Sequence, residues 1–282
     1  MPIMSLPTHD VHYEDRGTGT PVLLLGGSGE PMIAWEFCGL VEALLSKGHR
    51  VVWFAARGVR PSGCPPLPWS LDAMADDAIS LLDHLQIEQV TGIGYSLGGF
   101  TLERMALRRP ERIAAAVLMA SAGGADGIVR NGFIDAENAF AKQAGQVPVH
   151  FSRLMTLMTA LGGDELTNPE TIKQWWELLA HQGDQWAQPH GEIGQAQVAL
   201  DWKNSGGTTG SPFPDSVRIS LLYFGQDSLF PAHEASAVAR HLGSRTEIVT
   251  VENAGHAGLL TRPEETTDAL LGLLERWRSA SE

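Results

Sequence analysis

The chain contains 282 residues, of which 43% are hydrophobic and 19% are charged, so it can bury one large core or two modest ones. Its formal net charge of −13 argues against nucleic acids and anionic membranes as partners, because both attract clustered Lys and Arg. The opening residues lack the basic segment and the continuous apolar run of a signal peptide, and no long apolar run follows, so we predict a cytoplasmic protein.

The first part of the chain alternates short apolar runs with amphipathic segments. This alternation predicts an α/β fold, in which helices cover a mostly parallel sheet. In chain order we predict strand 11–15, strand 22–25, helix 34–48, strand 51–55, helix 70–85, strand 89–95, helix 97–109 and strand 112–121. Ser70 is a favourable N-cap for the second of these helices, and Pro110 ends the third.

The alternation stops near residue 123 and resumes near residue 212. The intervening segment is rich in Trp, Phe and Met, and its helical patterns, without a convincing strand, cover 134–145, 151–163 and 169–182. We interpret 123–212 as a helical cap inserted into a core formed by 1–122 and 213–282. The alternative is a helical subdomain with its own core, and the same segment can be both. After the insert we predict strand 217–225, helix 232–242, strand 246–251 and helix 263–277.

Ser96 lies between a predicted strand and a predicted helix, in the sequence GIGYSLGGF that covers 92–100. A nucleophilic serine on a strained strand-to-helix turn leaves room only for small residues two positions before and after it. Gly94 and Gly98 meet this requirement, and the helix that follows would present free N–H groups to the same spot. A plain tight turn is the alternative, but the flanking strand and helix favour a nucleophile.

A serine hydroxyl needs a base within hydrogen-bond reach and a carboxylate that orients the base. His256 has the best context of the ten histidines, because it lies in a glycine-containing loop between the last predicted strand and the last helix. Asp227 directly follows the preceding strand and is our first candidate for the carboxylate. Asp126, which also follows a predicted strand, is the main alternative, and Asp201 and Glu252 are weaker candidates.

With nucleophile, acid and histidine in this order, the sequence resembles the α/β-hydrolase family over nearly its whole length. The resemblance implies an α/β-hydrolase fold with its cap at 123–212, and an oxyanion hole formed by the backbone N–H of Leu97 and of a residue in the loop after strand 22–25. We assign this second donor to Ser28, since Gly26-Gly27 stands where many relatives have His-Gly. The segments LLGG, GYSLGG, FGQDSLFPAH and NAGHAGL resemble the aclacinomycin methylesterases and similar hydrolases of polyketide pathways.

Metal ligands and disulfides are not indicated by the sequence. Cys38 and Cys64 are too few and too isolated for a disulfide framework or for a zinc site of the usual spacing. The histidines are dispersed and show no metal-ligand spacing. We therefore predict neither a metal nor a cofactor.

These features predict a serine hydrolase that cleaves a carboxylic ester of a bulky or apolar small molecule through an acyl-enzyme intermediate. Serine in place of aspartate as the nucleophile argues against the dehalogenases and typical epoxide hydrolases of the family. A thioesterase, an amidase, and a hydrolase or lyase acting on a C–C bond are alternatives, because they could use the same triad. A non-catalytic ligand-binding relative is an alternative of a different class. Our candidates for the substrate pocket are Trp35, Tyr95, Trp175 and Trp176.

Overall fold

One eight-stranded sheet runs through the computed structural model, which describes residues 1–181 and 185–279. Its strands are β1 (Ile3–Ser5), β2 (Asp10–Arg16), β3 (Pro21–Leu25), β4 (Arg50–Phe54), β5 (Val90–Tyr95), β6 (Ile113–Met119), β7 (Arg218–Phe224) and β8 (Glu247–Val251). The strand order is β1-β2-β4-β3-β5-β6-β7-β8. Only the pairs β1 with β2 and β2 with β4 are antiparallel. The predicted mostly parallel sheet is confirmed.

Helices pack on both faces of this sheet, and others form an insert between β6 and β7. In the described residues they are α1 (Ile33–Phe37), α2 (Leu40–Ser46), α3 (Leu71–His84), α4 (Leu97–Arg108), α5 (Ile128–Ala144), α6 (Val149–Ala160), α7 (Pro169–Leu178), α8 (His190–Asn204), α9 (Ala235–Leu242), α10 (Gly258–Thr261) and α11 (Pro263–Ser279). As predicted, Ser70 caps α3, because its side chain accepts a hydrogen bond from the Ala73 N–H.

Two sequence predictions differ from the observed elements. The helix predicted over 34–48 is divided into α1 and α2 by Gly39, whose φ of 79° lies in the left-handed region and interrupts the helical ladder. The three-residue strand β1 was not predicted, because a segment this short at a sheet edge carries almost no periodic signal.

Both faces of the sheet are buried, as the central strand β3 illustrates. Leu23 and Leu25 pack into the core cluster on one face, together with side chains of α3 and α4. Val22 and Leu24 pack into the cluster on the other face, together with α2 and α11. Strands covered on both faces read as continuous apolar runs, which is why the parallel strands were recognisable in the sequence.

Helices α5 to α8, which we call the insert helices, lie between β6 and β7 and so interrupt the alternation of strands and helices. Three of them overlap the predicted helical patterns, whereas α8 was not predicted. The pattern over 169–182 extends to Gln182, which lies outside the described residues. In the described part of 123–212, β pairing is limited to an isolated bridge between Trp186 and Val59. The assignment of 123–212 as a cap stays a prediction.

Candidate active site

Ser96 occupies the turn between strand β5 and helix α4. Its φ of 50° and ψ of −120° are strained for a residue with a Cβ, and such strain occurs at functional sites. The Ser96 N–H donates to the carbonyl oxygen of Met119 on β6 at 3.0 Å, which fixes the turn to the sheet. This is the strand-to-helix elbow that the sequence predicts.

The glycines two positions either side of Ser96 are required by the packing of the elbow. A Cβ atom on Gly94 would lie 2.6 Å from the carbonyl oxygen of Gly98. A Cβ atom on Gly98 would lie 2.0 Å from the carbonyl oxygen of Leu25 on β3. Because both obstacles are backbone atoms, neither can move aside, and any larger residue would displace the elbow.

His256 bridges Ser96 and Asp227 by two hydrogen bonds. Its Nδ1 lies 2.8 Å from Asp227 Oδ2, and its Nε2 lies 3.0 Å from Ser96 Oγ. A carboxylate can only accept, so in the neutral ring Nδ1–H donates to Asp227 and Nε2 accepts from the serine hydroxyl. This tautomer leaves the imidazole nitrogen that faces Ser96 free to take a proton.

The Asp227 carboxylate is held by the loop that carries it. It is buried, and its Oδ1 accepts hydrogen bonds from the N–H groups of Leu229 at 2.7 Å and Phe230 at 3.1 Å. With Oδ1 occupied in this way, Oδ2 is directed at His256. The backbone of the β7–α9 loop therefore sets the orientation of the imidazole through one carboxylate.

The alternative acids lie elsewhere. Asp126 is exposed in the turn before α5, and Glu252 is exposed in the turn after β8. Asp201 accepts a hydrogen bond from the Leu71 N–H at the start of α3. Of the four candidate carboxylates, it is Asp227 that the structure brings to His256.

The imidazole of His256 lies between two aromatic rings. The Tyr95 ring stacks on it at a centroid distance of 5.4 Å, and the Phe230 ring at 5.7 Å. The Tyr95 hydroxyl also donates to the backbone carbonyl oxygen of His256 at 3.0 Å. The ring therefore has little freedom to rotate away from Ser96. Tyr95, a pocket candidate from the sequence, contacts the imidazole, and its role in binding substrate stays a prediction.

The loop after β3 supplies backbone N–H groups opposite the elbow. The N–H of Gly27 donates to Glu30 Oε2, and the N–H of Gly29 donates to Oε1 of Gln195 at 2.8 Å. No bond from the Ser28 N–H is found among the described residues. On the other side, α4 begins at Leu97, and the first N–H groups of a helix have no partner within it.

Glu30 is a carboxyl group at the site that was not predicted from the sequence. Its Oε1 is buried without a hydrogen-bond partner, while Oε2 accepts from the Gly27 N–H. Burial raises the pKa of Glu30 to about 7, although the Gly27 N–H and the nearby His256 both act to lower it. Glu30 can therefore change its charge near neutral pH.

The tryptophans proposed as pocket residues occupy three different environments. Trp35 is buried in the core beside Val22 and Leu24. Trp175 is half-buried against a small cluster of leucines formed by the insert helices. Trp176 is 39% exposed, and the guanidinium of Arg153 lies over its ring. These contacts do not bring the three tryptophans to His256.

The insert helices contact the loops of the site through residues that sequence patterns did not indicate. At the end of α6, the carbonyl oxygens of Thr159 and Ala160 accept from the N–H groups of His256 and Ala257. Arg130 of α5 donates from Nη1 to the carbonyl oxygen of Leu229 at 2.8 Å. Such contacts join residues far apart in sequence, and neither their spacing nor their residue types carry a recognisable signal.

Two further findings concern the described part of the chain as a whole. None of its helices combines the length and apolar character needed to cross a lipid bilayer. It also contains no group of three or more His, Cys, Asp and Glu side chains arranged to hold a metal ion.

Comparison with known proteins places the chain in a family. A sequence model described as the alpha/beta hydrolase fold matches residues 20–263. A candidate non-heme bromoperoxidase, BpoC of Mycobacterium tuberculosis, is 25% identical over 259 residues, covering 92% of this chain and 95% of that protein. Rhodomycin D methylesterase DnrP of Streptomyces peucetius is 29% identical over 195 residues, covering 65% of this chain and 64% of the methylesterase.

Among solved structures, a thermophilic esterase from Thermogutta terrifontis superposes with a TM-score of 0.78 at 23% identity and covers 98% of this chain and 99% of its own. At this level of identity the likeness concerns the fold. The match over 20–263 agrees with the resemblance read from the elbow and the late Asp and His. The chain belongs to the alpha/beta hydrolase family of enzymes.

Proposed function

We propose that the protein is a serine hydrolase that cleaves a carboxylic ester of a bulky or apolar small molecule through an acyl-enzyme intermediate. The observation that carries this proposal is the unbroken line of hydrogen bonds from Asp227 through His256 to Ser96 at a strained elbow. A base in contact with the hydroxyl and a carboxylate in contact with the base are the parts that a serine nucleophile requires.

In the first half of the reaction, His256 Nε2 takes the proton of the Ser96 hydroxyl as Oγ attacks the ester carbonyl carbon. The negative charge on the carbonyl oxygen is stabilised by the backbone N–H groups of Leu97 and Ser28. Asp227 stabilises the imidazolium through Nδ1–H. The imidazolium then gives its proton to the leaving alcohol, and the acyl group remains on Ser96.

In the second half, His256 takes a proton from a water molecule, which attacks the acyl carbon. The proton returns to Ser96 Oγ as the carboxylic acid leaves. These steps use only groups of this chain and water.

The substrate class rests on the insert helices and on one relative. The insert helices, whose segment is rich in Trp, Phe and Met, hydrogen-bond to the loops of the site, and apolar side chains around a site favour apolar or aromatic ligands. The relative named rhodomycin D methylesterase supports an ester as the bond that is cleaved. In this proposal the segment 123–212 is the cap that selects the substrate, and the enzyme acts in the cytoplasm.

The test compares wild type with Ser96→Ala on p-nitrophenyl butyrate, with the exposed Ser46→Ala as the matched control. We expect Ser96→Ala to lose a factor of about 10⁴ to 10⁶ in kcat, because removing the nucleophile disables the whole triad. A fluorophosphonate should label wild type and Ser46→Ala at Ser96. Equal activity of Ser96→Ala and wild type, or labelling at another residue, would contradict the proposal.

The same assay separates the alternative leaving groups. We expect kcat/KM to be highest on esters when esters, thioesters, anilides and β-diketones of matched acyl groups are compared. Labelling at Ser96 together with a preference for the diketone would keep the nucleophile and change the reaction to C–C bond hydrolysis. A labelled Ser96 with no turnover of any of them would favour the ligand-binding alternative.

A further inference from the structure

Gln195 is an amide side chain of helix α8 that is fully buried at the site. Its Oε1 accepts a hydrogen bond from the N–H of Gly29 at 2.8 Å. Its Nε2 donates to the carbonyl oxygen of Arg57 at 3.1 Å. One side chain of the insert helices therefore joins the loop after β3 to the loop after β4.

The bond to Gly29 is one of several contacts that fix this loop. Gly29 has a φ of 65°, and a Cβ atom there would lie 2.9 Å from Cζ2 of Trp186, so the backbone is packed directly under that ring. On the other side of Ser28, the Gly27 N–H is bound to Glu30. The N–H groups before and after Ser28 are thus both occupied by side chains.

This arrangement has a consequence for the oxyanion hole. A donor stabilises the oxyanion only if it lies about 3 Å from the position that the oxygen reaches in the transition state. Because Glu30 and Gln195 take the N–H groups of Gly27 and Gly29, the Ser28 N–H is the one left in this stretch to face the substrate. Its direction is set by the peptide planes that these two bonds hold.

We propose that Gln195 is a positioning residue, which holds the loop after β3 so that the Ser28 N–H serves as the second oxyanion donor. The inference rests on the proposed function, since it assumes that Ser96 attacks a carbonyl group. Gln195 does not touch the reacting atoms; it acts through Gly29 and through the Arg57 carbonyl oxygen. In this way a residue of the insert helices contributes to the chemical step.

Gln197 provides a matched control on the same helix. Its Oε1 accepts a hydrogen bond from the Trp69 N–H at 3.2 Å, so it too joins α8 to the backbone of the core. Trp69 belongs to the segment before α3 and not to the loop after β3. Gln195→Met and Gln197→Met each keep the side-chain volume and remove the amide. The first removes the partner of the Gly29 N–H and the Arg57 carbonyl oxygen, and the second removes the partner of the Trp69 N–H.

We expect Gln195→Met to lower kcat for p-nitrophenyl butyrate by about 10-fold to 100-fold, less than the 10²- to 10³-fold loss of an oxyanion donor itself, with KM changed less than about twofold. Gln197→Met should keep both constants within about twofold of wild type. The second-order rate of fluorophosphonate labelling should fall in parallel with kcat, because the phosphonyl oxygen occupies the same hole. A purely structural role would lower the melting temperature of both variants and leave kcat of the folded enzyme unchanged.

Gln195→Glu is the second variant. It keeps an acceptor for the Gly29 N–H in a side chain of nearly the same shape. Its carboxyl oxygen can still accept from Gly29, so kcat should lie above that of Gln195→Met. Equal kcat for Gln195→Met and Gln197→Met, or a loss that appears only in KM, would overturn the inference while Ser96 is still labelled. If Ser96 is not labelled in wild type, the proposed function fails first, and the two failures are thereby distinguished.

Discussion

The sheet and the insert helices hold the site in different ways. The central strands β3 to β7 are almost completely buried, and the carboxyl ends of β5, β7 and β8 carry Ser96, Asp227 and the loop of His256. Three of the insert helices bury less: α7 has no buried residue, α5 has Arg130 and Ile134, and α6 has four, whereas α8 has seven, Gln195 among them. The sheet places the reacting groups by hydrophobic burial, whereas the insert helices reach them by a few hydrogen bonds.

Three loops of the site are nevertheless joined to the insert helices by hydrogen bonds. The end of α6 accepts from the backbone of His256, Arg130 of α5 donates to Leu229 beside Asp227, and Gln195 of α8 accepts from Gly29. Arg130 also lies 4.9 Å from the Phe230 ring, which stacks on His256. The insert helices are therefore part of the framework of the site, so a change in their packing should alter catalysis as well as substrate selection.

Buried acidic side chains of this protein differ in whether a cation pairs with them. In the core, the Asp77 carboxylate pairs with the guanidinium of Arg57. Nε donates to Oδ2 at 2.8 Å, and Nη2 donates to Oδ1 at 2.7 Å. Among the insert helices, burial and the neighbouring Glu192 raise the pKa of Glu137 to about 8. Buried charges that are paired cost far less than those that are not, so the Glu137 carboxyl carries a penalty for ionisation that the Asp77–Arg57 pair avoids.

Among the variants that compare the sheet with the insert helices, the largest effect on kcat is expected at the acid of the triad. Asp227→Asn preserves the shape of the side chain and removes the charge, so His256 loses the partner that fixes its tautomer. We expect kcat to fall about 10⁴-fold, because the wrong tautomer cannot accept the Ser96 proton. The measurement is kcat on p-nitrophenyl butyrate for variants with unchanged melting temperature.

Asp126→Asn is the control for this prediction. Asp126 follows a strand of the same sheet but is exposed in the turn that leads into the insert helices. Its variant should keep kcat within about twofold of wild type, as is usual for exposed positions without a special role. A large loss in Asp126→Asn with an active Asp227→Asn would transfer the role of the acid to Asp126.

A smaller effect is expected from Glu30, which lies in the loop after β3 close to His256. Its pKa of about 7 means that it is neutral below pH 6 and ionised above pH 8. The ionised form is attracted to the imidazolium that forms on His256 during acylation, and an attraction of this kind at partial burial amounts to a few-fold in rate or more. We therefore expect kcat/KM of Glu30→Gln to be about 3-fold to 10-fold below wild type at pH 8 and equal to it at pH 6.

Two other titratable groups that face Glu30, the Cys38 thiol and the Tyr95 hydroxyl, do not change charge in this range. Burial raises the pKa of Cys38 to about 11 and holds the pKa of Tyr95 well above its usual value. Glutamine keeps an oxygen that can accept from the Gly27 N–H, so the loop should stay in place. Glu36→Gln is the control, since Glu36 pairs with Arg16 away from the site. A pH profile of Glu30→Gln that superposes on wild type from pH 6 to 8 would contradict the prediction.

The sequence was informative where one local rule determines the structure. The parallel strands appear as apolar runs because both faces of the sheet are buried, and the elbow appears as glycines because backbone atoms of Gly98 and Leu25 exclude a Cβ. Asp227 and His256 were recognisable because each follows a predicted strand in the order typical of the family.

The rest depends on contacts between distant segments. Gln195 lies on α8, whose apolar residues are not confined to one face, and nothing in the neighbours of Gln195 or of Arg130 on α5 distinguishes them from other polar residues of the insert. Trp35 fits the expectation for a pocket residue equally well as the expectation for a core residue, and the structure buries it in the core. Periodicity identifies which side of a helix is apolar, but not which loop that helix contacts.

The smallest expected effect concerns stability and the insert helices alone. Glu137 has a raised pKa of about 8 in the folded protein, against 4.5 for the ordinary carboxyl, so the unfolded chain releases this proton at lower pH than the folded chain. The fold therefore loses stability as pH rises from about 4.5 to 8. Glu137→Gln removes this penalty, and we expect it to raise the melting temperature by about 2–6 °C at pH 8, equivalent to roughly 1–2 kcal/mol, with no change near pH 4.5.

Glu177→Gln, on the exposed side of α7, should leave the melting temperature unchanged at both pH values. A melting temperature of Glu137→Gln below wild type at pH 8 would mean that Glu137 is stabilised as a carboxylate, as Asp77 is by Arg57.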